Sequence, residues 1–239
     1  AALARHSELP WPHPSDDVWR RTDYKLLDPA DGFTPVEPES WAESSPALES
    51  VECLTRPQGD EHLLVRVNGS WKKHETPKGV SVTDLAEAAR TRPEPIRKIL
   101  ASSDLTAAEQ KFTTLNAAFH HDDIAIEVTA NALIEHPLRL VHVLSAQAGQ
   151  ALFPWTVIRV GAGSQVTVID EYVSLSDPLQ GASHLINARI DLEIEPGAIV
   201  HYVRLQRWGS GAREFLLQQV RAARDANLSM ANINLGAAV

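Results

Sequence analysis

Val160-Gly-Ala-Gly163-Ser-Gln-Val166-Thr-Val168, Ile194-Glu-Pro-Gly197-Ala-Ile-Val200-His-Tyr202 and Ala222-Ala-Arg-Asp225-Ala-Asn-Leu228-Ser-Met230 share one plan. Each is the end of a strand-like run, a short corner and the start of another run. The corners lie 34 residues apart from Gly163 to Gly197 and 28 apart from Gly197 to Asp225. A degenerate earlier corner, Asn131-Ala-Leu-Ile-Glu-His-Pro137, begins 32 residues before Gly163. A repeat of this size reads as the stacked coils of a β-solenoid, in which no coil buries its apolar face without a neighbour. Because the period drifts, an antiparallel sandwich or barrel stays open as the competing reading.

Working outward, Ile124, Ile126 and Val128 alternate with Ala125, Glu127 and Thr129, and Ile190, Leu192 and Ile194 alternate with Asp191, Glu193 and Glu195. A period of two predicts half-buried strands with the second set outside. Further strands are expected over Leu138 to Ser145, Leu152 to Val160, Gln165 to Val173, Ala198 to Gln206, Glu214 to Arg221 and Leu228 to Leu235. Everything before about residue 122 reads as an attached mixed α/β region (1–122), with the solenoid over 123–239. In that first region Ser15 is expected to cap a short helix carrying Val18 and Trp19, and residues 28–58 an irregular arm held by Phe33, Val36 and Trp41. His62 to Val67 and Ser70 to His74 should form a hairpin about Asn68-Gly69. Ser81 or Thr83 should open a helix with Val82, Leu85, Ala86 and Ala89 on one face, interrupted at Pro93 and Pro95. Thr106-Ala-Ala-Glu109 is a capping box before the stripe Leu105, Ala108, Phe112, Leu115 and Phe119.

The bulk properties exclude several classes. Residues 1–60 hold 12 acidic and 5 basic residues of a chain whose formal charge is −9, and no basic patch with interleaved aromatics occurs, which argues against nucleic-acid binding. No apolar run reaches the roughly 20 residues of a membrane span. The start lacks the basic-then-apolar pattern of a signal peptide, so a cytoplasmic setting is expected. The single Cys53 rules out an internal disulfide and a multi-thiolate metal site. It is expected as a half-buried strand or loop thiol.

No catalytic, cofactor-binding or metal-binding residue is assigned. His120-His121-Asp122-Asp123 is the one dense group of ligand-type side chains, but neighbours at a helix end diverge, and capping of helix carbonyls explains it. Glu195-Pro-Gly-Ala-Ile-Val-His201 invites a cupin comparison, with the wrong Gly-to-His interval and no His-x-His. His201, His142 and His184 are therefore read as core or stacking histidines. Asp191, Glu193 and Glu195 would line an acidic cleft in a carbohydrate-active solenoid, but are read as a solvated face.

Taken in order, Leu9-Pro with Trp19-Arg-Arg-Thr-Asp23, Lys111-Phe-Thr-Thr-Leu-Asn-Ala-Ala118, Ile158 to Tyr172 and Asn187 to Gln206 make the chain resemble the SufD branch of the SufB/SufD family of iron-sulfur cluster assembly proteins. The resemblance implies a right-handed parallel β-helix after an N-terminal α/β region. It implies a non-catalytic scaffold subunit working with SufB and SufC homologues, with the cluster present transiently in the full complex and no cofactor held by this chain alone. Flavin association is implied for such complexes, with no residues here to place it. Family members continue through further coils that carry the SufB and SufC interfaces, so those interfaces are expected beyond Val239. The last coil, uncovered, is expected to self-associate or fray. Asp123 stands where the family usually turns with Asp-Gly. The alternatives are the carbohydrate-active solenoid and a metal-dependent cupin-like protein.

Overall fold

Four residues with left-handed backbone set the corners: Asn131 (φ 59°), Gly163 (66°), Gly197 (69°) and Asp225 (59°). In each corner the residue after it donates its N–H to the carbonyl three positions back, as from Ser164 to Gly161 (3.2 Å) and Ala198 to Glu195 (3.3 Å). The left-handed residue is thus third in a four-residue turn, and Pro196 fits the second place because its ring fixes a negative φ. The same residues tie coil to coil: Asn131 donates to Ala162, Gly163 to Pro196 and Gly197 to Arg224, at 2.8 to 3.1 Å. Close stacking forbids a side chain at Gly161, where a Cβ would come within 2.5 Å of the Ala130 nitrogen.

The computed structural model describes residues 2–13, 15–16, 19, 33–35, 51–53, 55–67, 70–101, 105–120, 123–144, 149–174, 184–209 and 211–236. The helices are α1 (Ala2–Glu8), α2 (Leu85–Thr91), α3 (Pro93–Ala101) and α4 (Ala107–Phe119). The strands are β1 (Thr34–Pro35), β2 (His62–Val67), β3 (Ser70–His74), β4 (Val80–Thr83), β5 (Asp123–Val128), β6 (Leu138–Leu144), β7 (Gln150–Leu152), β8 (Trp155–Val160), β9 (Gln165–Ser174), β10 (His184–Ile194), β11 (Ile199–Arg207), β12 (Ala212–Ala222) and β13 (Asn227–Asn234).

They form a β-solenoid of about three turns. One sheet stacks β5, β8, β10 and β12 in parallel, and the other stacks β2, β6, β9, β11 and β13. Register reproduces the corner spacing: Ile126 faces Ile158, Ile158 faces Leu192 and Leu192 faces Val220. The inward side chains Ile124, Ile126, Val128, Ile158, Val160, Ile190, Leu192 and Ile194 meet Leu138, Leu140, Val166, Val168, Val200 and Tyr202 in one core. Parallel strands cannot be joined by tight hairpins, which is why the chain must wind. At the last coil that inner face opens: Val220 and Met230 are 37% and 43% exposed.

Both sheets are closed at their starting edge by N-terminal elements. The hairpin of β2 and β3 forms as expected, and β2 lies parallel to β6; the Asn68-Gly69 turn itself falls outside the described residues. β4 pairs antiparallel with β5, so Val82 is a strand residue rather than the start of a helix. Val80 and Val82 alternate inward with period two, and burial against the core overrides the helical pattern. The helix starts only at Leu85 and a second begins at Pro93, where the missing N–H costs nothing in a first turn.

The α4 capping box is present: Thr106 accepts from the Glu109 N–H, and Glu109 accepts from the Thr106 N–H. Phe112 and Leu115 are buried as the stripe predicts, and three polar residues, Lys111, Thr113 and Asn116, are buried with them. Lys111 Nζ donates to the carbonyls of His6 (2.8 Å) and Leu9 (3.0 Å), fastening α1 to α4. Asn116 Nδ2 donates to the carbonyls of Pro154 (3.1 Å) and Asn187 (2.7 Å), while Asn187 Nδ2 donates to Phe112 (2.9 Å). This bolts α4 over Phe153-Pro154, where the strand expected over Leu152 to Val160 breaks into β7 and β8. Trp19 stacks on Phe112 and Phe215, and Phe33 packs against the same cluster. Ser15, Asp16 and Trp19 lie in turns; Val18, Val36 and Trp41 lie outside the described residues.

Candidate functional site

The inward phase of β9, β11 and β13 begins apolar at the corner and ends polar. Val166 and Val168 are followed in the same phase by Asp170 and Tyr172, and Val200 and Tyr202 by Arg204 and Gln206. Register stacks Leu140, Asp170, Arg204 and Asn232 in one inward row, and His142, Tyr172, Gln206 and Asn234 in the next. The lumen therefore has an apolar half beside the corners and a polar half away from them.

Asp170, wholly buried, is the hub of the polar half. Tyr202 donates to it at 2.6 Å and Tyr172 at 3.1 Å, and His142 Nε2 lies 3.2 Å from its other oxygen. The His142 and Tyr172 rings stack 4.5 Å apart and 5° from parallel. The buried Arg204 guanidinium sits over Tyr172, pairs with Glu214 and reaches Asn234. Trp208 Nε1 donates to Glu214 at 3.2 Å. Burial pushes the Glu214 carboxyl up, against the pull of Arg204. Burial first, and Asp170 second, hold Tyr172 and Tyr202 well above the ordinary phenol range near 10. Such an array fixes charges and exchanges protons. It offers no thiolate, and among the described residues no group of three or more His, Cys, Asp or Glu side chains is placed to hold a metal.

The two phenols set an alkaline limit. Their folded values lie above the unfolded value of about 10, so stability is fully present below that pH. It falls as pH rises further, because the unfolded chain gives up protons that the folded chain keeps. Each tyrosine contributes a slope of up to about 1.4 kcal/mol per pH unit. Urea unfolding between pH 8 and 11 should show this loss, and a Tyr172→Phe/Tyr202→Phe variant should be weaker at pH 8 but flatter above pH 10. An equally steep limb in that variant would assign it elsewhere.

Outside the solenoid the structure corrects the sequence reading. β10 is buried along its whole length instead of on one face: it lies between β8 and β12, α4 packs against it, and Lys98 of α3 reaches Glu193. Asp191 is held by Arg189 (2.7 Å), Trp155 Nε1 (2.8 Å) and Arg221 (3.7 Å), and Glu193 by Lys98 (2.6 Å) and Arg159 (3.5 Å). The supposed solvated face is thus an ion-pair layer in which Asp191 and Glu193 are buried, while Glu195 is half open and Lys98 is exposed. On the other sheet Arg139 binds Glu171 and Glu61, clamping residues 56–61 against the coils, and Arg207 shares Glu171.

Of the histidines, His142 and His184 are buried as expected, but His201 is exposed on the outer face of β11. Its neighbours in phase, Val203 and Leu205, also point outward, since Val200, Tyr202 and Arg204 take the lumen. Cys53 is exposed in a helical turn over 51–53, not half-buried in a strand or loop. His120 Nδ1 pairs with Asp123 at 2.8 Å rather than with helix carbonyls, and His121 and Asp122 lie outside the described residues. No described helix is long and apolar enough to cross a membrane.

Comparison with known proteins agrees with this architecture. Residues 142–239 match the family model described as SUF system FeS cluster assembly, SufBD core domain, and residues 48–140 match the SufBD protein N-terminal region. The iron-sulfur cluster assembly protein SufD of Bacillus subtilis is 26% identical over 237 residues, covering 96% of this chain and 52% of that protein. An iron-sulfur cluster assembly SufBD family protein of Staphylococcus epidermidis is 24% identical over 208 residues, covering 82% of this chain and 43% of that protein. The chain thus spans about half the length of these relatives. With the two models meeting end to end across the hairpin, the bolted helix and the coils just described, the chain belongs to the SufB/SufD family of iron-sulfur cluster assembly proteins.

Proposed function

We propose that this chain serves as a non-catalytic scaffold in a cytoplasmic SufB, SufC and SufD assembly, binding no cofactor by itself and meeting the iron-sulfur cluster only in the full complex. One observation carries the reading: the outer carboxylates that could have formed a cleft are engaged. Asp191 and Glu193 each contact two cationic side chains and Glu195 contacts Arg159, while on the other sheet Glu171 is held by Arg139 and Arg207. A glycosidase needs one acid and one base facing an open substrate path. Paired and covered carboxylates instead stiffen the coils and hold the helices on them, as a docking frame requires. A cupin-like centre is disfavoured by His201, which points away from the lumen.

The test uses size-exclusion chromatography with SufB and SufC homologues, alongside SufC ATPase rates, for this chain and a full-length relative. On this reading the SufB and SufC interfaces lie in the part of the relatives that this chain does not cover, so the full-length protein should bind and stimulate while residues 1–239 do neither. Equal binding and stimulation by both would place the interface within these residues. Failure of both in the full-length protein would defeat the scaffold reading. Elemental analysis of the same sample should find less than one equivalent of iron or zinc after chelation.

A further inference from the structure

On the first sheet's outer face two register rows run side by side: Thr83, Ala125 and Val157 in one, Ser81, Glu127 and Arg159 in the other. The α2–α3 pair lies over them, with Leu85, Ile96 and Ile99 in one apolar cluster with Trp155 and Val157. Ala88 of α2 and Ala125 of β5 both end at Cβ, and a cavity of about 100 Å³ stays open between helices and sheet, its apolar lining completed by Pro95 and Ile96. Ser81, Thr91 and Arg92 line it too and are exposed, so it opens to solvent on their side.

Size and charge select what fits. A cavity of about 150 Å³ is what a benzene ring fills, so this one takes an aliphatic side chain and not an aromatic ring. Every charged group lining it already touches an opposite charge: Glu127 is held by Arg92 and by Arg159 (3.1 Å), and Arg159 also reaches Glu195 (3.4 Å) and Glu193 (3.5 Å). A charged group entering would shed its hydration and gain a partner only by breaking one of these pairs. A neutral peptide group needs no such exchange, because a paired carboxylate keeps acceptor sites and a paired guanidinium keeps donors. An acceptor and a donor beside an aliphatic hole are the complement of one peptide unit and its side chain. We infer that this cavity is a docking pocket for one leucine-sized side chain on a neutral segment of a partner protein, with the segment's N–H donating to Glu127 and its carbonyl accepting from Arg92. The contact is separate from the SufB and SufC interfaces proposed above, and its test does not depend on them.

Methyl NMR of the whole chain titrated with N-acetyl-leucine methylamide reads the pocket directly. The Ala88, Ile96, Ala125 and Val157 methyls should shift together and saturate with a roughly millimolar dissociation constant, as suits a neutral ligand of this size. At equal concentration the alanine and phenylalanine analogues, and the charged N-acetyl-leucine and leucine methylamide, should each reach at least about tenfold lower occupancy. Ala88→Leu fills the cavity from α2 and should abolish the shifts at Ala125 and Val157. Arg92→Ala leaves the apolar lining in place and should weaken binding about fivefold through the lost donor. Absence of saturable shifts with the leucine compound would overturn the inference, as would equal occupancy by the alanine analogue or by either charged compound, or undiminished binding to Ala88→Leu. If Ala88→Leu does not fold, the analogue series on the unaltered chain decides alone.

Discussion

Arg204→Met should lower the unfolding free energy by about 3–5 kcal/mol, because removing one partner of a buried ion pair leaves the other charge uncompensated. Here two carboxylates lose Arg204, Glu214 directly and Asp170 close by. The loss is a large share of the ~5–15 kcal/mol that holds an ordinary domain. Adding Glu214→Gln should recover part of it. Urea midpoints of the two variants measure the effect, and a loss under about 1 kcal/mol in Arg204→Met would mean that solvent reaches the pair.

Asn116→Ala is the second large effect, roughly 2–4 kcal/mol, and its cause is different. No charge is involved; the carbonyls of Pro154 and Asn187 each lose a buried donor, and α4 loses its bolt to the break between β7 and β8. Thermal unfolding monitored by far-ultraviolet circular dichroism tests it. Asn232→Ala, removing an exposed amide paired with Gln218, should change stability by less than about 0.5 kcal/mol. Similar losses in both variants would show that burial at Asn116 is not what matters.

The contrast between these two asparagines also shows what could be read in the sequence. The solenoid was legible because a corner repeats, and a corner is local: turn geometry restricts residue choice within a few positions. The strands followed from alternation for the same reason. The lumen chemistry was equally local in form, since Val166, Val168, Asp170 and Tyr172 keep one phase, as do Val200, Tyr202, Arg204 and Gln206. That signal is ambiguous in sequence because a polar residue ending an apolar run looks like an outward turn. The ion-pair layer over β10 was not legible at all. Whether Asp191 and Glu193 are wet or covered depends on α3 and α4, whose docking against β10 is a long-range event. Val82 failed likewise, since a period of two over four residues cannot be told from part of a helical stripe until a partner strand is known.

The corners give the molecule an asymmetric tolerance to insertion and deletion. Coils of 28 and 34 residues stack in one register because the extra length lies mostly in residues 175–183, against residues 208–211 in the next coil. Lengthening the chain there leaves each corner, and hence the inward phase of each strand, where it was. One residue added between Gly163 and Val166 would do the opposite: Val166, Val168, Asp170 and Tyr172 would turn outward, and Thr167, Ile169 and Glu171 would enter the lumen against Arg204. Coil length can thus change between strands, while the stretch from each corner into its strand is read in frame.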